Sequence, residues 1–134
     1  MKKVLNIVLI MLSMIGYSQE TLKDGNFESK INEKHSFGDD PEFNIVVVEF
    51  WAKFNEANAF PDWDKIKGAK YFRVDIADAP ATKKKYRIRM APTLIIFNNG
   101  IKEEIFKAGL DLECPVNLSE LQESIEEVKT ANKY

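Results

Sequence analysis

The run Ile45 to Trp51, Ile-Val-Val-Val-Glu-Phe-Trp, constrains this chain more than any other stretch. Six of its seven side chains are apolar and three are valine, and a run this short and this rich in β-branched residues reads as a strand buried on both faces. It passes directly into the polar Ala52-Lys53-Phe54-Asn55-Glu56-Ala57-Asn58. The strand therefore delivers its C-terminal end to a turn, the place where open α/β sheets assemble ligands and chemistry. Glu49 breaks the apolar run. A carboxylate buried there needs hydrogen-bond partners or a shifted pKa, and Tyr71 and Arg73 on the next strand are the expected neighbours. The alternative is a general base for a reaction, although no nucleophile stands beside it in the sequence.

The rest of the chain supplies partners for that strand. Lys70 to Ile76 alternates toward a second strand, and Ala79 to Tyr86 reads as a short helix. Leu94 to Phe97 is a third apolar strand, and Asn98-Asn99-Gly100 is a hairpin turn that returns the chain through Ile101 to Ala108. From Asn117 onward an amphipathic helix is expected. Asn117 and Glu120 form a capping box, and Leu118, Leu121, Ile125 and Val128 form one apolar stripe. Between strand and strand, Asn55 to Lys67 is expected to be helical with an interruption at Pro61. Asn55 is expected as an N-cap whose side-chain oxygen accepts from a backbone N–H near Ala57 or Asn58. Glu20 to Asn44 is polar, with a short strand expected over Phe27 to Ile31 and loop elsewhere.

These elements, in this order, resemble the thioredoxin family. The resemblance rests on Phe50-Trp51-Ala52 at the strand end, Ala91-Pro92-Thr93 before the third strand, the Asn-Asn-Gly hairpin and the terminal helix, and covers about residues 44–132. It implies an α/β thioredoxin-like fold: a central mixed β-sheet flanked by helices. It also implies a cis bond before Pro92, with Ala91 offering backbone groups to an extended peptide. The family's C-x-x-C cysteines fall at Asn55 and Asn58, so the dithiol chemistry is absent by composition. Family members carry a buried aspartate where Glu49 stands. Pro61 lies three residues after Asn58, a closer spacing than that of the family's helix proline.

The implied binding face comprises Trp51, Phe54, Asn55, Ala91, Pro92, Thr93 and Gly109, with the longer loop running on to Cys114. The leading reading is a redox-inactive, protein- or peptide-binding or chaperone-like module. Two others stay open. Cys114, the single cysteine, would form mixed disulfides if exposed with a depressed pKa; Asp111 and Glu113 nearby oppose that. A purely structural assembly domain would leave the face idle and tolerate Ala91→Lys.

Residues 1–18 fit a secretory signal, with Lys2 and Lys3, an apolar run from Val4 to Ile15, and a small residue at Ser18 before the cut. A retained membrane anchor is the alternative; after removal no membrane span is expected. Residues 19–43 form an N-terminal extension, and a periplasmic or extracellular location follows. The formal charge is −2, with Lys2 and Lys3 among the 19 basic residues and 21 acidic ones beside them. That balance argues against a nucleic-acid partner. No cofactor or metal is expected: His35 is the single histidine, and Asp39, Asp40, Asp62 and Asp64 match no calcium-loop spacing. The basic run Lys83-Lys84-Lys85 with Arg87 and Arg89 reads as a solvated face, or as the flank of a groove favouring an acidic partner.

Overall fold

A computed structural model describes residues 20–33 and 44–133. The expected signal segment, His35, Asp39 and Asp40 lie outside the described residues. The described chain is an α/β structure built on one mixed five-stranded sheet. Its strands are β1 (Glu20–Leu22), β2 (Ile45–Trp51), β3 (Lys70–Asp75), β4 (Thr93–Asn98) and β5 (Ile101–Lys107), ordered β1-β3-β2-β4-β5. β3 runs parallel to both β1 and β2, whereas β4 is antiparallel to β2 and to β5. β2 thus takes the centre, as its apolar run requires.

Side-chain alternation along β2 splits the core in two. Val46, Val48 and Phe50 pack with Leu22, Phe27, Ile31, Phe72, Val74 and Phe97. Ile45 and Val47 pack on the other face with Phe60, Tyr71, Leu94, Leu121 and Ile125. Helix α3 (Leu118–Lys133) lays its stripe over this second face, with Leu121 and Ile125 fully buried. Its start is a reciprocal box: Glu120 N–H donates to Asn117 Oδ1 at 2.8 Å, and Asn117 N–H donates to Glu120 Oε1 at 3.3 Å. The β4–β5 turn has positive φ at Asn99 and Gly100.

Three expectations differ. Glu20–Leu22, expected as loop, is strand β1, paired in parallel with β3, and its Leu22 is buried in the core. Residues 27–31 form no strand; Phe27–Asn32 is helix α1, and Phe27 and Ile31, one turn apart, both enter the core. Spacing of Phe27, Ser29 and Ile31 fits a period of two as well as an i, i+4 pair, and the local hydrogen bond from Lys30 N–H to Asn26 O selects the helix.

Residues 55–67 contain no α-helix. Two 3-10 turns, Lys53–Asn58 and Trp63–Lys65, replace it, with Asn55 at φ −119° and ψ 26°. Pro61 supplies no N–H to continue a ladder, and Phe60 has its backbone taken by the sheet. Its N–H donates to Glu49 Oε2 at 2.8 Å and its carbonyl accepts from Arg73 Nη2 at 3.4 Å. With both backbone groups of Phe60 engaged across the chain, no regular helix can pass through it.

Helix α2 (Pro80–Lys85) has Pro80 in its first turn and alanine at its N-cap, which offers no side-chain acceptor. Asp24 supplies the cap from outside, accepting from Ala81 N–H, Thr82 N–H and Thr82 Oγ1 at 3.1, 2.8 and 2.7 Å. The Thr82 bonds hold the Asp24 carboxyl below its ordinary pKa.

Candidate functional site

β2 and β3 place Glu49 directly beside Arg73, two residues from Tyr71 on the same face. Glu49 is fully buried, and Tyr71 and Arg73 are 8% and 7% exposed. The Tyr71 hydroxyl donates to Glu49 Oε1, and Arg73 Nη2 reaches the same oxygen at 3.3 Å. Arg73 Nε donates to the Tyr71 oxygen at 3.1 Å, and the guanidinium lies 5.5 Å from the Trp51 ring centroid. Every polar group of Glu49 therefore has a partner. Burial still raises its pKa, opposed by the bonds from Tyr71 and Phe60 and by the Arg73 charge. Burial and the adjacent carboxylate also push the Tyr71 hydroxyl upward. The cluster is saturated from within, which makes it a brace between β2, β3 and the Phe60 segment rather than a base waiting for a substrate.

The strand end beyond Trp51 is held by Asn55. Its Nδ2 donates to Ala91 O at 2.9 Å and to Leu112 O at 2.8 Å, and its Oδ1 accepts from Asn58 Nδ2 at 2.8 Å. Asn55 is therefore no N-cap for the following turn; its oxygen meets the Asn58 side chain, and its amide hydrogens leave the segment altogether. One side chain ties three chain segments: the β2 exit, the loop before β4 and the loop before α3. The Ala91–Pro92 peptide is cis. Pro92 O accepts from Ala108 N–H at 3.2 Å, and Thr93 Oγ1 donates to Met90 O at 2.6 Å, so the loop is fastened on both flanks.

Trp51, Phe54, Asn55, Ala91, Pro92, Thr93 and Gly109 are thus brought to one end of the sheet, but in unequal states. Ala91 is 4% exposed and its carbonyl is occupied by Asn55. A lysine at 91 would have to leave a buried position, so Ala91→Lys tests packing before it tests binding. The accessible apolar surface is supplied instead by Phe54, 80% exposed, and Leu110, 98% exposed. Leu110 had only a weak sequence signal, an isolated leucine between Gly109 and Asp111 in a polar loop.

Cys114 is not part of the Asn55 clasp. It is half-buried against the α3 face of the core, with its Sγ donating to Val116 O at 3.3 Å. Burial pushes its thiol pKa up, and the Glu49 charge adds to the shift. Among the described residues, no three His, Cys, Asp or Glu side chains converge on a metal position, and no helix is long and apolar enough to cross a membrane. No protein-family model matches the chain, and no curated protein matches it.

Proposed function

We propose that the chain is a redox-silent thioredoxin-like domain that binds a partner protein through the sheet end around Phe54, Asn55, Pro92 and Leu110. The observation that carries this reading is the pairing of a fastened backbone with exposed apolar side chains. Asn55 spends its amide on Ala91 and Leu112, while Phe54, the residue before it, and Leu110, two residues before Leu112, stand in solvent. Large apolar side chains displayed on a preorganised loop cluster suit protein recognition.

Support for the thioredoxin-like fold comes from the order β1-β3-β2-β4-β5 and the cis bond before Pro92. The family's main-chain peptide contact at Ala91 is modified here, because Asn55 already uses that carbonyl. Partner contact through side chains of the flanking loops takes its place. The raised pKa of Cys114 and its bond to Val116 weigh against mixed-disulfide chemistry.

Export through residues 1–18 would place the domain outside the cytoplasm; the first residue of the purified protein, expected to be Gln19, tests this. Partner binding is tested with a photo-crosslinking residue placed at Leu110 and, as control, at Glu127 on α3. Adducts at 110 that disappear in Phe54→Ser support the reading. Equal adducts at both positions, or none, overturn it.

A further inference from the structure

Helix α2 ends in a left-handed turn. Ile88 N–H donates to Lys83 O at 2.9 Å, Arg87 N–H donates to Lys84 O at 3.2 Å, and Arg87 lies between at φ 54°. The turn drives Ile88 into the core, 4% exposed, and leaves Arg87 and Arg89 outside on either side of it. Glycine is the residue that takes such a backbone at least cost, so an arginine at 87 is a poor choice for the turn alone.

Arg87 and Arg89 line two adjoining hollows. One, of about 350 Å³, is shared with Met90, Thr93 and Lys107; the other, of about 540 Å³, with Lys83 and Lys84. Among the described residues, none of these five cations has a carboxylate within 4.0 Å. Their neighbour Lys85, by contrast, is paired with Glu28. An unneutralised basic groove on a chain of net charge −2 is a local reversal of sign.

We propose that this groove binds an acidic, extended segment of a partner protein, with side-chain carboxylates bridging Arg89 to Arg87 and Lys107. The two hollows share Arg87, Ile88 and Arg89, which gives an elongated track with a buried aliphatic residue between the cations. Neither hollow is lined by an aromatic side chain on which a base could stack, which favours a peptide over a nucleic acid. The hollow of Lys83 and Lys84 shares Ile76 and Lys83 with the cleft that Phe54 lines, so the track runs out toward Phe54. The inference rests on the binding reading only in taking the occupant to be a protein, and it adds the chemistry of that partner.

The test uses the full chain and two fluorescein-labelled peptides, one alternating Glu and Ser and the other Gln and Ser, followed by fluorescence anisotropy at low and high salt. The acidic peptide is expected to bind, to weaken with salt, and to lose roughly tenfold affinity in Arg89→Gln and in Arg87→Gly, as for other charge-assisted contacts. Arg87→Gly is expected to leave the unfolding midpoint unchanged or higher, which separates lost binding from lost fold. Equal affinity of the wild type and the two variants overturns the proposal, as does failure of the acidic peptide to bind. Displacement of the peptide by a short DNA or by inorganic phosphate at lower concentration than unlabelled acidic peptide also overturns it. The two readings fail separately. If acidic-peptide binding survives in Leu110→Ser while the chain carrying the crosslinker at 110 gives no adducts, the groove stands and the apolar face falls; binding indifferent to the arginines while the crosslinker at 110 gives adducts that Phe54→Ser abolishes gives the reverse.

Discussion

The Glu49–Tyr71–Arg73 cluster and the Asn55 clasp both use polar side chains to join segments distant in sequence, yet they sit at opposite extremes of solvent access. Glu49 is fully buried and its partners nearly so, while Asn55 is half-buried at the sheet end with exposed residues on either side. The first fixes two strands and the Phe60 segment against each other where water cannot compete. The second holds loop backbones in place while leaving neighbouring side chains open to solvent. A charge that loses its partner in the first has nowhere to turn, whereas an amide lost from the second leaves one of its two carbonyls, that of Leu112, in a half-exposed loop. The contrast separates what holds the fold from what displays a surface, and it sets the order of effects expected from mutation.

The largest effect is expected from Arg73→Ala. Removing one member of a buried ion pair leaves the other uncompensated, and the cost is typically about 3–5 kcal/mol. Denaturant unfolding at neutral pH should show a loss of that order. The loss should shrink in mild acid, because Glu49 then becomes neutral and no longer needs the guanidinium. A loss below about 1 kcal/mol, the size of an ordinary hydrogen-bond deletion, would show that the cluster is not the brace described.

Next comes the pH dependence that Glu49 imparts. Its pKa is raised from 4.5, chiefly by burial. The folded protein therefore binds the Glu49 proton more tightly than the unfolded chain does. The stabilisation from this group is full below the unfolded value, and it declines as pH rises from there through the raised folded value. Glu49→Gln, which keeps the size and one acceptor, should flatten that part of the stability profile. A profile unchanged by the substitution would place the titration elsewhere.

Asn55→Ala removes two donors and one acceptor at the loop cluster. At about 0.5–1.5 kcal/mol for each hydrogen bond, a total of roughly 1–2 kcal/mol is expected, since water substitutes for part of the loss. Proteolysis should then begin within the loop around Leu112, whose carbonyl the amide had held. Asn58→Ala, which removes only a side-chain bond to Asn55, should cost less. If the two variants behave alike, the bridge from Asn55 to Ala91 and Leu112 is not what fastens the loops.

The same contrast explains how far the sequence could be read. β2 and β4 were legible as nearly continuous apolar runs and β3 by its alternation, whereas the short β1 was not; the α3 cap was legible because Asn117 and Glu120 interact within one turn. Tyr71 and Arg73 were foreseeable partners of Glu49, since parallel neighbours at matching positions share a face. The crossover from Asn55 to Lys67 was not legible. What prevents a helix there is Phe60's engagement with Glu49 and Arg73, and no local pattern records a bond across the fold. Asn55 misled for a similar reason. Its side chain suits an N-cap, but Ala91 and Leu112 compete for it from 36 and 57 residues away. Asp24 capping α2 is a third such case, as the helix start itself shows only Ala79 and Pro80.

The smallest effect on stability is expected at the residues to which the proposed function assigns binding. Leu110 is 98% exposed and Phe54 80%, so Leu110→Ser and Phe54→Ser remove little buried apolar surface. Substitutions at such sites generally change stability by no more than about 0.5 kcal/mol. Partner crosslinking from position 110, in contrast, should fall sharply in Phe54→Ser, because it removes a large apolar side chain from the proposed contact surface. Cys114 offers the control on the same loop. Its thiol is half-buried, with its pKa raised by burial and by the Glu49 charge, so a small alkylating reagent at neutral pH should react more slowly than with an unstructured cysteine peptide. Rapid alkylation persisting into mild acid would reverse the assignment, putting an activated thiolate on the loop that carries Leu110 and making partner capture covalent.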